Sequence, residues 1–114
     1  MNQLKSIDNK IIVKPYSPNL GGVVTGIDLS KEISNSELNF IKDAFNQYQV
    51  LFFQNQSEIP PKLQVKLGKY FGPLHVHPAA PTMEGHPEIF EIHTHKDSKI
   101  SNGTENFHSD VSCD

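Results

Sequence analysis

Ser34-Asn35-Ser36-Glu37 is a capping box placed directly before an apolar stripe of helical spacing, and this pairing constrains the fold most. The Ser34 hydroxyl can accept from the Glu37 N–H while the Glu37 carboxylate reaches back to the Ser34 N–H. Leu38, Ile41, Phe45 and Tyr48 then recur at intervals of three and four, the period of one helix face. The spacing predicts a helix over 35–48 with that face on the core. Val50-Leu51-Phe52-Phe53 follows as an unbroken apolar run, which reads as a strand buried on both sides.

The elements around this helix are mixed. Ile11-Ile12-Val13 is a β-branched run ended by Pro15 and Pro18, and Leu20 to Leu29 is strand material with Gly21, Gly22 and Gly26 inside it. A Gly-Gly pair before an apolar run also suits a phosphate loop, but no Lys-Ser/Thr follows. Pro60-Pro61 opens a second helix, with Leu63, Leu67 and Phe71 as its buried stripe and Gly72-Pro73 as its stop. Beyond it Pro73, Pro78, Pro81 and Pro87 interrupt regular structure. Glu88 to His93 reads as a strand, Thr94 to Asn106 as a polar surface loop, and Phe107 to Val111 as the opening of a half-buried strand. The class is α+β.

Charge and length exclude several functions. The 114 residues suffice for one domain. A net charge of -3 leaves no basic field for nucleic acid or an anionic membrane surface. No apolar run is long enough to span a bilayer, and no apolar stretch follows the N-terminus as a signal peptide requires. The single cysteine, Cys113, excludes a disulfide framework and a thiolate zinc cluster; it reads as a small buried residue. The expected location is cytoplasmic.

Histidine is distributed unevenly. All six lie between positions 75 and 108, so the segment from 75 onward is expected to carry the chemistry. A carboxylate two residues after a histidine matters because a strand points residues i and i+2 to one face, where both can reach one metal ion. Three such pairs occur: His86-Pro87-Glu88, His95-Lys96-Asp97 and His108-Ser109-Asp110. Pro87 spoils the first as an ordinary central strand. Lys96 and Lys99 place the second in a solvated loop. Phe107 and Val111 flank the third, which alone can enter an apolar shell. Against this stands a plain surface His–Asp hydrogen bond. His75-Val76-His77 and His93-Thr94-His95 also suit a metal. A cupin-like metalloenzyme using His75 and His77 is one alternative, although Glu84 follows His77 at a longer interval than that pattern prefers.

Read together, the motifs look familiar. Phe71-Gly72-Pro73-Leu74-His75-Val76-His77-Pro78, Glu84-Gly85, Glu88-Ile89, Thr94-His95 and Phe107-His108-Ser109-Asp110-Val111-Ser112 resemble the taurine/2-oxoglutarate dioxygenase family. Upstream, Leu20 to Ser30 is similar to that family's N-terminal strand and turn, and Val50 to Gln56 to its strand between the first two helices. The resemblance implies a double-stranded β-helix, or jelly roll of the clavaminate-synthase type, with outer helices. It implies Fe(II) as cofactor, 2-oxoglutarate as co-substrate, and O2. His108 and Asp110 become two of three iron ligands. His77 becomes a substrate-contacting residue, with Asn102 the candidate for the family's substrate-contacting Asn. The implied substrate is a small anion, a sulfonate such as taurine, and the expected assembly is a homo-oligomer. The residues give no separate acid–base catalyst.

Departures from the pattern bear on the substrate more than the iron. Ala80 stands where taurine enzymes often have an aromatic residue, and Phe107 where a Trp often precedes the iron histidine. No His follows His108, and all ten basic residues are Lys, so neither the third ligand nor an Arg for the far carboxylate of 2-oxoglutarate is present. A Lys offers a point charge in place of a bidentate fork. The expectation is therefore that residues 1–114 are the N-terminal portion of one taurine-dioxygenase-like domain, truncated just after His-x-Asp and inactive alone. The non-catalytic alternative is a binding module that kept the scaffold.

Overall fold

The computed structural model describes residues 2–76, 78, 81–92 and 107. The chain divides into two compact units, residues 1–75 and 76–114. It is α+β, as expected.

The first unit is built on a four-stranded sheet. Strands β1 (Leu4–Lys5), β2 (Ile12–Pro15) and β3 (Gly22–Thr25) run antiparallel in that order, and β4 (Leu51–Phe53) pairs parallel with β3. A parallel pair needs a crossover, and helix α1 (Asn35–Tyr48) supplies it. Ser34 caps α1 as the sequence predicts: the Glu37 N–H donates to the Ser34 hydroxyl at 3.2 Å and the Ser34 N–H to the Glu37 carboxylate at 3.1 Å. Gln49 ends the helix in the left-handed region, at φ 70°, and turns the chain into β4.

Alternation along the strands explains the core. Ile11, Val13 and Val24 project to the face that α1 covers and are buried with Ala44 and Tyr48. Leu4, Ile27, Phe40, Leu51 and Phe53 pack around that cluster. The Gly21 N–H donates to the Tyr48 carbonyl at 2.9 Å and the Gly22 N–H to the Val50 carbonyl at 2.8 Å, which ties the end of α1 to β3. This use of the glycine pair displaces the phosphate-loop alternative.

Three expectations change here. Leu38, Ile41 and Tyr48 are buried, but Phe45 is 41% exposed, and Ala44 takes its place in the core. The 3.6-residue period turns position 45 past the sheet, toward the second helix. Val50 to Phe53 is not buried on both sides: Phe52 is 46% exposed and Val50 is exposed too. Among the described residues β4 is the last strand of its sheet and has a helix on one face only, so Phe52 points outward beside Tyr16, ring centroids 5.1 Å apart. Helix α2 (Pro61–Tyr70) starts and stops as expected, yet Leu63 and Leu67 are half-buried and Phe71 is exposed.

Within the second unit the described residues form a hairpin. Strands β5 (Thr82–Met83) and β6 (His86–Phe90) pair antiparallel around Glu84-Gly85, with Gly85 at φ 78°. The strand thus lies earlier than the expected 88–93 and includes Pro87. Proline is tolerated because a two-stranded ribbon leaves it an edge.

Candidate functional site

The sequence leads one to expect the chemistry from residue 75 onward, and the structure describes the residues just before it. Gly72 turns the chain out of α2 at φ 146°. Leu74 then folds back on the helix, where a β-carbon on Gly68 would stand 3.0 Å from the Leu74 Cδ2. His75, Val76 and Pro78 follow as exposed residues. In the hairpin, His86 and Glu88 are both half-buried, and Pro87 between them is exposed.

His77, Asn102, His108 and Asp110 lie outside the described residues. So do Ala80, His93, His95, Asp97 and Cys113. The His75/His77 pair is therefore described in one member only. Phe107 itself is exposed, and the rest of the strand expected over 107–111 lies outside the described residues. Among the described residues no group of three or more His, Cys, Asp or Glu side chains converges as a metal site would require.

The first unit carries a polar frame that the sequence reading missed. The Gln56 carboxamide accepts from the Leu29 N–H at 2.8 Å and donates to the carbonyls of Ile27 and Gln54, at 2.9 and 2.8 Å. It thereby fixes the turn after β3 to the end of β4. A Gln three residues after an apolar run is the only signal for this, and it is common in unrelated loops. Asp28 caps the same turn: its carboxylate accepts from the Ser30 hydroxyl and N–H, which holds its pKa below the usual carboxylate value. Asp8 is lowered likewise by the Ser6 hydroxyl and the Lys10 N–H. Glu32 is lowered by Lys66. Burial raises the Tyr48 phenol. Asp8, Asp28, Glu32 and Tyr48 all belong to the first unit, as does Gln56. No described helix is long and apolar enough to cross a membrane.

Comparison with known proteins agrees with the motif reading. The sequence profile of the taurine catabolism dioxygenase TauD, TfdA family matches residues 12–114, a span that includes His77, Asn102, His108 and Asp110. An alkylsulfatase from Acinetobacter baylyi is 34% identical over 92 residues, covering 81% of this chain and 28% of that protein. An alpha-ketoglutarate-dependent sulfate ester dioxygenase from Pseudomonas putida is 23% identical over 99 residues, covering 87% and 32%. The crystal structure of a taurine dioxygenase from Burkholderia xenovorans superposes with a TM-score of 0.63 at 32% identity, covering 71% of this chain and 29% of that one. The chain thus spans about a third or less of the length of these relatives. A profile match over nearly the whole sequence, together with a shared fold at 32% identity, shows that the chain belongs to the TauD/TfdA dioxygenase family.

Proposed function

We propose that residues 1–114 are the N-terminal portion of a single taurine-dioxygenase-like domain, a double-stranded β-helix with α1 and α2 outside it. The activity proposed for the whole enzyme is oxidation of a small anionic substrate, an organic sulfonate or sulfate ester, with 2-oxoglutarate and O2 as co-substrates. One observation carries this reading: the family match runs in order through the whole motif series and reaches His108-Ser109-Asp110. The relatives' names point to the same chemistry, since one is called alpha-ketoglutarate-dependent and two act, by name, on sulfate esters.

His108 and Asp110 are proposed to hold Fe(II). A neutral imidazole and a carboxylate two residues apart suit a divalent ion of intermediate softness and leave positions for other ligands. When bound, iron supplies the redox chemistry that joins O2 activation to oxidation of 2-oxoglutarate. The chain's own residues do the rest. His77 donates a hydrogen bond to an anionic sulfur-bound oxygen. Asn102 can add a second donor from its amide. Phe107 supplies an apolar wall beside the metal once the rest of the domain covers it. The setting proposed is cytoplasmic, where reductant keeps iron in its ferrous state. Self-association belongs to the same reading, because Tyr16 and Phe52 stand exposed side by side on the outer sheet face.

Products separate the substrate classes. Hydroxylation of a C–H bond at the carbon bearing a sulfonate gives an α-hydroxysulfonate, whose collapse to an aldehyde breaks the C–S bond and releases sulfite. The same hydroxylation beside a sulfate ester oxygen releases sulfate. Incubating the gene product that carries this segment with Fe(II), ascorbate, 2-oxoglutarate and either taurine or a short alkyl sulfate distinguishes them. Succinate in step with sulfite or sulfate supports the reading. Succinate formed equally with and without either substrate contradicts it.

A further inference from the structure

We infer that α2 is a local unfolding unit, which detaches from α1 and the sheet and unwinds as one segment while that core stays folded. The inference starts from length. Ten residues are too few for a helix to hold itself in water, so α2 is ordered by what it touches.

What it touches is sparse. None of its residues is buried, and it begins at Pro60 without a side-chain cap. Leu63 and Leu67 reach Leu29, Ile33 and Leu38 around a small cavity and are only half-buried there. The remaining ties are polar or aromatic and lie at the surface. Lys66 Nζ donates to Glu32 Oε2 at 2.5 Å, with both side chains more than half exposed. The Tyr70 hydroxyl donates to the Asn39 side-chain carbonyl, and Lys42 Nζ lies 5.3 Å from the centre of the Tyr70 ring. Phe71 meets Phe45 edge-on at 5.4 Å, and both rings remain over 40% exposed. Beneath these ties α2 does not close on the core. An open groove of about 430 Å³ lies between Ile41, Phe45, Leu51, Phe53, Leu67 and Phe71.

Helix α1 is the opposite case. It has a capping box at one end and Leu38, Ile41, Ala44 and Tyr48 buried along one face. Segments open locally in proportion to how little buried contact holds them, so the two helices must differ in opening free energy. The segment is bounded on both sides. Pro60-Pro61 has no N–H groups to carry a helix across it, and Gly72 leaves at φ 146° with nothing within 4 Å of where its β-carbon would stand. Leu74, seated on Gly68, loses that seat when the helix unwinds.

Hydrogen exchange read by mass spectrometry on the whole chain tests this, with peptides from 61–70 and 35–48 compared in one sample. Amides of α2 are expected to exchange at least about tenfold faster than those of α1. Glu32→Gln removes the ion pair and should speed α2 a further two- to fivefold or so, leaving α1 unchanged. The exchanged pair Glu32→Lys with Lys66→Glu should restore the original α2 rate. Equal protection in the two helices, at whatever level, overturns the inference. So does a Glu32→Gln effect that is absent or that accelerates both helices together.

Discussion

Tyr48 lies against Gly22 so closely that a β-carbon on the glycine would stand 2.8 Å from the Tyr48 ring and 2.7 Å from Val13 Cγ1. Real β-carbons do not approach neighbours this closely, and both partners are fully buried, so neither can give way cheaply. The contact joins the last turn of α1 to the middle strands of the sheet. Gly22→Ala should therefore cost about 1–3 kcal/mol of stability, the usual range for overpacking a filled core. Denaturant unfolding checks it, and an unchanged midpoint would mean that α1 does not sit on β3 at this distance.

Capping gives a second expectation. Ser34→Ala removes the acceptor of the Glu37 N–H and should cost about 1 kcal/mol, whereas Ser34→Asp should keep most of the stability. The readout is the unfolding midpoint of each variant. Equal losses from Ala and Asp would show that the hydroxyl does not cap the helix.

Ile41 and Phe45 share the apolar stripe in the sequence but not in the fold. Ile41 is 2% exposed and Phe45 is 41% exposed. Ile41→Ala should cost about 2–4 kcal/mol, as for a buried aliphatic residue. Phe45→Ala should cost clearly less, although it removes more atoms. The reverse order would put Phe45 in the core after all.

These residues show what the sequence can and cannot reveal. The helix 35–48 was legible because cap and period are local signals, written within fifteen residues. The exposure of Phe45 and Phe52 was not, because it depends on which strand ends the sheet and on the side where α1 lies. Those are properties of pairing between distant segments. Gly22 reads only as a glycine inside strand material, and its partner, Tyr48, is 26 residues away with no sequence mark to join them. The hairpin 82–90 was misplaced because Pro87 argues against a strand wherever the ribbon is not at an edge. The candidate site was legible only through its motifs. His108-Ser109-Asp110 is one of three similar pairs, and its distinction came from flanking apolar residues and from the order of motifs along the chain.

Acid should loosen the N-terminal turn. Asp8 accepts from the Ser6 hydroxyl at 2.5 Å and the Lys10 N–H at 3.0 Å, so its pKa in the folded chain lies below the unfolded value. The unfolded chain then takes up the proton first as pH falls. The turn's contribution is complete above the ordinary aspartate value of about 3.9 and fades as pH drops through the lower folded value. Ser6→Ala should shrink this acid-sensitive part while leaving neutral pH behaviour otherwise similar. Its measure is the difference in unfolding midpoint between pH 6 and roughly pH 3 for the two proteins, and identical differences would count against the turn.

The central claim is that His108 and Asp110 hold the iron of a 2-oxoglutarate-dependent dioxygenase. Succinate formation tests it most directly, measured with Fe(II), ascorbate, 2-oxoglutarate and taurine or a short alkyl sulfate, on the gene product that carries this segment and on its Asp110→Ala and His108→Ala variants. The account predicts substrate-dependent succinate from the parent and a loss of at least about 100-fold in each variant, since even residues that only support a metal ligand are worth 10- to 100-fold. Variants that turn over 2-oxoglutarate as fast as the parent would contradict it.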